Sequence, residues 1–156
     1  MSDKPKITDS HCHLDFPDFN DDLSEIINNA LQNGVCRMVT ICTRLKNEPQ
    51  ERKISEKYKA VYYEAGNHPI SDSSEPMANF NELISLSKHP KFIAIGETGL
   101  DYYYNNSDKE KQITSFKTHI EAAIEFYVPI IVHSRNAEDD TIKILSEYNC
   151  LLYTSD

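Results

Sequence analysis

The stretch that decides the fold reads Ile7-Thr8-Asp9-Ser10-His11-Cys12-His13-Leu14-Asp15, a β-forming run that ends in two histidines. Side chains two residues apart on an extended strand point to the same side. His11 and His13 therefore present two imidazoles together, which is an arrangement suited to binding a divalent metal ion. Two unrelated surface histidines would show the same spacing, so the interpretation depends on where the other polar residues fall.

Beyond this stretch, short apolar runs alternate with amphipathic segments. The apolar runs predict β-strands, and apolar residues spaced three and four positions apart predict helices. Strands are expected at 7–14, 35–43, 60–65, 92–95 and 129–133, and helices at 18–33, 48–59, 79–89, 108–126 and 137–148. This alternation predicts right-handed βαβ units around a parallel sheet. An open doubly wound sheet and a (β/α)8 barrel both fit, although no glycine-rich phosphate loop follows the first strand, which weakens the nucleotide-binding version of the open sheet.

Length, charge and hydropathy restrict the function classes. The chain has 156 residues, the size of one domain, and its formal net charge of −9 argues against a broad basic surface for polyanions. Bound divalent cations could still supply positive charge locally. No apolar run approaches the roughly 18 residues of a membrane span, and the N-terminus lacks the apolar region of a signal peptide. We therefore expect a cytoplasmic protein with reduced cysteines, no membrane partner and no obligate protein partner.

Polar residues with metal-binding chemistry fall where the predicted strands end. His68 follows the third strand, Glu97 and Asp101 follow the fourth, and His133 and Arg135 follow the fifth. Active sites of (β/α)8 barrels are built at the carboxyl ends of the strands. An unpaired carboxylate next to a buried strand would be costly, so Glu97 is expected to need a metal ion or another cation.

Several of these residues have alternative interpretations. Asp9 and Asp15 flank the histidine pair and could orient an imidazole through a hydrogen bond. Asp101 could instead cap a loop, His68 could be a turn residue, and Arg135 is either an anion contact or a solvated loop residue. Two further histidines fall on predicted helices and are expected to have no role at the site: His89 and His119.

The residue set suits metal-assisted hydrolysis. Two imidazoles and a carboxylate can hold one divalent ion, and a carboxylate such as Glu97 can bridge to a second ion that His133 shares. Paired ions about 3.5–4 Å apart lower the pKa of a bridging water and stabilise the charge that develops on an ester, most naturally a phosphodiester. Two alternatives stay open, a metallo-hydrolase of another ester or amide and a non-catalytic metal-binding module. No lysine stands at a strand end as a bridging ligand, which favours a nuclease.

Four motifs give the chain a family resemblance. They are DSHCHLD at 9–15, GNHP at 66–69, IGETGLDYY at 95–103 and IVHSR at 131–135, and together they resemble the TatD family of metal-dependent deoxyribonucleases over about residues 7–145. The resemblance implies a metallo-hydrolase barrel with His11 and His13 on one metal, Glu97 bridging and His133 on the second metal. It places His68 in the lining of the site. It also implies largely exonucleolytic cleavage of DNA ends or single strands with two divalent ions, Mg²⁺ foremost and Mn²⁺ or Zn²⁺ as alternatives.

The resemblance covers the N-terminal part of such a barrel. A full (β/α)8 barrel takes about 250 residues, whereas the motifs here fall on about the first five βα units. We expect residues 1–149 to be this part of the barrel and residues 150–156 to be a non-native tail. Alone, the 156 residues are expected to expose strand edges, to fold poorly or associate, and to be nearly inactive, whereas the complete gene product should be active.

The prediction of a non-native tail rests on the amino-acid sequence of residues 150–156. Residues 150–156 read CLLYTSD, which is the translation of a transposase adapter used in sequencing-library preparation, TGT CTC TTA TAC ACA TCT GAC. A genuine short β-strand is the alternative. Resequencing the genomic locus should show that the gene diverges from the adapter near codon 150 and continues. A stop codon directly after the codon for Asp156 would contradict this prediction.

Overall fold

The computed structural model describes residues 6–71, 75–104, 108–148 and 153–155. It consists of a parallel β-sheet flanked by helices. The described strands are β1 (Ile7–Cys12), β2 (Val35–Thr40), β3 (Val61–Ala65), β4 (Phe92–Asp101), β5 (Ile130–Arg135) and β6 (Tyr153–Ser155). The described α-helices are α1 (Leu23–Gln32), α2 (Glu48–Lys57), α3 (Phe80–Leu86), α4 (Lys109–Phe126) and α5 (Glu138–Ser146). Short 3₁₀ turns at Pro17–Phe19 and Leu45–Asn47 precede α1 and α2.

The strand order identifies the architecture. Each strand pairs with the next one in the chain, in the order β1-β2-β3-β4-β5-β6, and every pairing is parallel. A doubly wound sheet would reverse its order at a switch point. The unbroken order is that of a (β/α)8 barrel, in which each strand lies beside its sequence neighbour. The predicted barrel-type fold, present in part, is therefore confirmed.

Apolar side chains pack on both faces of the sheet. One buried cluster joins β1–β3 to the first two helices, and its buried members are Leu14, Ile27, Met38, Ile54 and Val61. A larger cluster joins β3–β5 to the later helices and includes Leu83, Phe116, Ile120, Ile130 and Ile144. A third cluster lies on the other face and contains Val39, Ile41, Ala94 and Ile131, with Ile93 packed against it. Met38 and Val39 are consecutive yet belong to different clusters, as expected for a parallel strand that is buried on both faces.

The differences from the predicted elements that bear on the site are in β4 and β5. The sequence predicts strands ending at 95 and 133, but β4 continues through Glu97 to Asp101 and β5 continues through His133 to Arg135. The predicted strand ends were wrong by six and two residues. As a result, Glu97 lies inside β4, and the backbone before and after it is held in the strand.

Glycines explain the misplaced end of β4. Gly96 and Gly99 have φ values of 150° and 140° and lie within the strand. A Cβ at Gly96 would be 2.6 Å from the carbonyl oxygen of Ile131, and a Cβ at Gly99 would collide with the carbonyl oxygen of His133. Glycine inside a strand can mark the close approach of another backbone rather than the end of the strand. Here the two glycines let β5 lie close enough to place His133 beside Glu97.

Three sequence-based expectations concern smaller features. The described cysteines Cys12, Cys36 and Cys42 carry free thiols, and Cys150 lies outside the described residues. In the described part of the chain, no helix combines the length and the apolar character needed to cross a membrane. The backbone of Tyr153–Ser155 pairs in parallel with β5, while residues 149–152 and 156 lie outside the described set. The assignment of residues 150–156 as a non-native tail stays a prediction.

Candidate metal centre

The predicted site residues lie at one end of the sheet, because parallel strands bring their carboxyl ends to the same edge. His11 lies on β1 and His13 directly follows it, while His68 lies three residues beyond β3. The remaining members are carried by β4 and β5: Glu97, Asp101, His133 and Arg135. The register pairs Gly99 with His133 and Asp101 with Arg135, so these two strands hold their polar residues side by side.

The carboxylate of Glu97 lies at the middle of the candidate site. Glu97 is only 6 % exposed. Its Oε2 is 4.0 Å from Nε2 of His11, whereas its Oε1 is 3.3 Å from Nδ1 of His133 and 3.9 Å from Nε2 of His68. The two oxygens of one carboxylate thus face histidines from opposite sides, which is an arrangement that can bridge two cations.

Three of these residues converge closely enough to hold a metal ion. One ligand atom each from His68, Glu97 and His133 lie within 4.8 Å of one another. Nε2 of His68 and Nδ1 of His133 are 3.2 Å apart. Imidazole nitrogen together with carboxylate oxygen is a donor set for divalent transition metals. His68, expected only to line the site, therefore belongs to its most compact group.

The two histidines of the opening motif lie next to each other, as their spacing predicts. The ring centroids of His11 and His13 are 5.3 Å apart in an edge-on arrangement. Nδ1 of His13 is 3.3 Å from the carbonyl oxygen of Ile41. If Nδ1–H donates to that oxygen, Nε2 keeps its lone pair for a metal ion.

Cys12 separates the two histidines in sequence but faces elsewhere. Its Sγ donates to the carbonyl oxygen of Val39 at 3.2 Å. Burial, and then the carboxylates of Asp9 and Glu51, raise the pKa of Cys12 to about 12. A thiol must lose its proton to become a strong metal ligand. Cys12 therefore stays a neutral thiol near pH 7 and does not complete the donor set.

Asp101 fixes the orientation of His133. Its side chain is completely buried, and Oδ2 is 3.0 Å from Nε2 of His133. Its other oxygen, Oδ1, accepts from the backbone N–H of Tyr103 at 3.0 Å. A carboxylate that receives one ring N–H holds the other nitrogen toward a metal. Asp101 thus caps the following loop and also holds Nδ1 of His133 toward Glu97.

The charges within the group favour metal binding. Burial alone would raise the pKa of Glu97, but the hydrogen bond with His133 and the neighbouring histidines bring it below its usual value. Burial lowers the pKa of His68 to about 4, so this imidazole is neutral near pH 7. Burial also acts to lower the pKa of His133, but its hydrogen bonds to Glu97 and Asp101 outweigh this and raise it. The group therefore has an ionised carboxylate and a neutral imidazole, and Nδ1 of that imidazole accepts from the backbone N–H of Ile70 at 3.2 Å.

The two flanking aspartates make other contacts. Oδ1 of Asp9 accepts from the backbone N–H of His11 at 3.1 Å. Asp15 is buried, with its Oδ2 3.4 Å from Nδ2 of Asn47 and its carbonyl oxygen 3.1 Å from Nε2 of Gln50. The Asp9 contact lies within β1, and the Asp15 contacts hold the segment that follows it. Orientation of an imidazole by either aspartate stays a prediction.

His119, which lies on α4, contacts the backbone directly before His68, and the sequence did not indicate this contact. His119 is fully buried. Its Nδ1 donates to the carbonyl oxygen of Ser115 at 2.7 Å, and its Nε2 accepts from the backbone N–H of Asn67 at 3.1 Å. Both bonds can form together only when the imidazole is neutral. The ring therefore holds the backbone directly before His68, as a packed histidine and not a solvated one. A positioning role for His119 at the site stays a prediction.

Gln112 makes an equivalent contact on the same helix. Its Oε1 accepts from the backbone N–H of Asp101 at 2.8 Å, and its Nε2 donates to the carbonyl oxygen of Asp101 at 3.0 Å. Gln112 and His119 are seven residues apart and share the buried stripe with Phe116 and Ile120. The sequence signal for both contacts was the presence of polar residues (Gln112, Ser115 and His119) on the buried face of this helix.

Glu64 is a second buried carboxyl that the motifs did not indicate. It lies fully buried on β3, and its Oε1 accepts from the backbone N–H of Cys42 at 2.6 Å. Burial raises its pKa well above the usual value. Burial thus favours the neutral form of Glu64, which adds no negative charge beside Glu97. A glutamate inside the apolar strand VYYEA was the corresponding signal in the sequence.

A parallel βα sheet with imidazoles and a carboxylate at its carboxyl edge is typical of the metal-dependent hydrolases built on (β/α)8 barrels. The family model for TatD related DNase matches residues 8–151. The chain belongs to the TatD-related DNase family.

Relatives and solved structures agree with this assignment. The chain is 41 % identical over 152 residues to an uncharacterized metal-dependent hydrolase of Buchnera aphidicola from Acyrthosiphon pisum, covering 92 % of this chain and 58 % of the relative. It is 28 % identical over 130 residues to a 3′-5′ ssDNA/RNA exonuclease TatD of Citrobacter koseri, covering 83 % and 50 %. The crystal structure of YJJV, a TatD homologue from Escherichia coli, superposes with a TM-score of 0.83 at 27 % identity, covering 90 % and 55 %. The chain spans about half the length of the curated relatives it matches.

The His119 contact makes a prediction about metal affinity. His119→Leu would leave the N–H of Asn67 without its acceptor and loosen His68, so the affinity for Mn²⁺ or Zn²⁺ should fall about tenfold or more. His119→Gln supplies an acceptor oxygen of similar reach and should stay within about threefold of the parent. Isothermal titration calorimetry on the folded proteins measures both. Equal affinities for the leucine variant and the parent would remove His119 from any positioning role.

The same residue predicts acid sensitivity. Burial lowers the pKa of His119 to about 4, whereas an unfolded histidine titrates near 6.5. The unfolded state therefore binds the proton first, and the stability contributed by the neutral ring is complete above about pH 6.5 and is lost as the pH falls toward 4, by up to about 3 kcal/mol. Urea unfolding across this range should give a steeper pH dependence for the parent than for His119→Gln. Parallel curves would contradict the prediction.

Proposed function

We propose that this protein hydrolyses phosphodiester bonds of DNA at strand ends, using water activated by divalent metal ions. The observation that supports it most directly is the Glu97 carboxylate, whose two oxygens face His11 on one side and His68 with His133 on the other. Two ions held there would supply an activated water and stabilise the negative charge that develops on a phosphate. The ions would also provide local positive charge in a chain whose net charge is −9.

The residues of the chain have separate roles in this proposal. His11 and His13 would hold one ion, Glu97 would be shared between the two ions, and His133 would hold the second, with His68 3.2 Å from His133 and able to share it. Asp101 is a positioning residue, because it holds the ring of His133 by a hydrogen bond of 3.0 Å. Mg²⁺ is proposed first from the family resemblance, whereas the imidazole nitrogens favour Mn²⁺ or Zn²⁺ on ligand chemistry.

The proposal of DNA as substrate draws on the relatives. The protein from Citrobacter koseri carries the name 3′-5′ ssDNA/RNA exonuclease, and the one from Buchnera aphidicola is described only as a metal-dependent hydrolase. We extend cleavage of single-stranded DNA ends to this protein, with RNA as the competing substrate. A cytoplasmic location and the absence of an obligate protein partner remain part of the proposal.

The test is Glu97→Gln in the complete gene product that contains this chain. The substitution keeps the shape and removes the charge, so cleavage of a 5′-labelled single-stranded oligonucleotide with Mg²⁺ or Mn²⁺ should fall about 100-fold or more. Glu64→Gln is the matched control. It lies on the adjacent strand, its burial favours the neutral form, and the amide oxygen of the variant can still accept from the backbone N–H of Cys42. It should keep activity within a few-fold of the parent.

The possible outcomes separate the proposal from its alternatives. Unchanged turnover in Glu97→Gln would overturn the bridging role. Metal binding by the parent without cleavage of DNA, RNA or a simple phosphodiester would indicate a non-catalytic metal-binding module. Turnover of carboxylic esters or amides alone would indicate a different hydrolase.

A further inference from the structure

Two tyrosines and an arginine form an exposed cluster beside the metal centre. Tyr103 and Tyr104 follow β4 and are 54 % and 45 % exposed. Their rings are nearly perpendicular, at 87°, with centroids 4.9 Å apart. The guanidinium carbon of Arg135 lies 3.9 Å from the ring centre of Tyr103 and 5.2 Å from that of Tyr104. The guanidinium thus sits in the corner between two rings, which restrains its orientation. We refer to these three residues as the tyrosine–arginine cluster.

The tyrosine–arginine cluster is attached to the metal centre through the backbone. The N–H of Tyr103 donates to Oδ1 of Asp101, whose Oδ2 contacts His133. The N–H of Tyr102 donates to the carbonyl oxygen of Arg135 at 2.9 Å. Arg135 lies two residues after His133 on β5 and pairs with Asp101 on β4. The cluster is therefore fixed next to the residues that would hold the second ion.

The environment of Arg135 differs from that of Arg44 and Arg52, which are paired with carboxylates. Arg52 contacts Glu48 at 2.7 Å and Arg44 contacts Glu75 at 2.9 Å. Within the described ranges Arg135 has no carboxylate within 4.0 Å, although the chain has 25 acidic residues. Its partners are instead two aromatic rings, so the N–H groups at its edge are available to an external anion.

The chemistry of the cluster matches one nucleotide of an unpaired strand. A guanidinium donates a pair of N–H groups to a phosphate. Exposed tyrosine faces stack on nucleobases with little preference among them. Because the net charge of −9 provides no broad basic surface, affinity for a nucleic acid would have to come from such local contacts.

We propose that the tyrosine–arginine cluster binds the nucleotide next to the scissile bond, with Arg135 on its phosphate and Tyr104 stacked on its base. This inference rests on the proposed hydrolysis of DNA. Tyr103 supports the guanidinium, since Arg135 already covers one face of its ring. An unpaired base is required, because a base inside a duplex has both faces covered by its neighbours.

The test compares kcat/KM of the complete gene product on two substrates. One is a single-stranded dT oligonucleotide, and the other is the same oligonucleotide without bases. Tyr104→Leu should lower kcat/KM for the dT strand about tenfold, mainly through KM, and leave the abasic strand within about twofold. Tyr104→Phe keeps the ring and should behave like the parent. Arg135→Gln should weaken the binding of both substrates. It should also make the slope of log KM against log salt concentration shallower by about 0.7, the value for one phosphate contact on a single strand. Arg135→Lys should keep that slope.

A binding measurement without turnover separates this proposal from the proposed function. With EDTA present, the fluorescence of 2-aminopurine in a short single strand should be quenched by the parent and by Tyr104→Phe but not by Tyr104→Leu. If this quenching pattern is found but the parent cleaves no DNA, the nucleotide site would be supported and the proposed DNA hydrolysis would be overturned. Equal quenching by Tyr104→Leu and the parent, or an equal loss of kcat/KM on both substrates in Tyr104→Leu, would overturn the stacking role. An unchanged salt slope in Arg135→Gln would overturn the phosphate contact.

Discussion

The requirement to neutralise a buried carboxylate governs the arrangement of this site. Glu97 lies inside β4 with almost no exposure, where an isolated negative charge would cost several kcal/mol. Three histidines from three other chain segments surround it at 3.3–4.0 Å. Those segments can meet only if β1, β3, β4 and β5 are parallel and in fixed register. The geometry of the sheet and the chemistry of its edge are therefore linked through Glu97.

The register in turn depends on the residues behind the site. Gly99 lets β5 approach β4 closely enough to place His133 beside Glu97. On the other side, α4 uses Gln112 and His119 to hold the backbone of Asp101 and Asn67. Each of these contacts satisfies a buried backbone N–H that would otherwise be costly. The helix thus does more than cover the sheet, because it sets where two loops begin.

The features that the sequence predicted depend on local patterns, whereas those it did not predict depend on contacts between residues far apart in the chain. The order of strands and helices, and the edge at which His11, Glu97 and His133 meet, follow from periodicity and from the rule that parallel strands end together. Whether the sheet was open or barrel-like depends on which strands pair, which the residue pattern left undecided. The end of β4 was mispredicted because the role of Gly96 and Gly99 is set by a neighbouring backbone. The same holds for His119, whose partner is 52 residues away.

The division of charge at this edge has a further consequence for recognition. Glu97 and Asp101 make the interior of the site negative, so an approaching phosphate is repelled unless cations are bound there. Just outside, Arg135 is positive, has no carboxylate within 4.0 Å among the described residues, and is held by two aromatic rings. A nucleotide could therefore be held at the mouth independently of the ions, whereas entry to the centre requires them. Binding and chemistry would then respond differently to metal removal, because they rely on different charges on neighbouring strands.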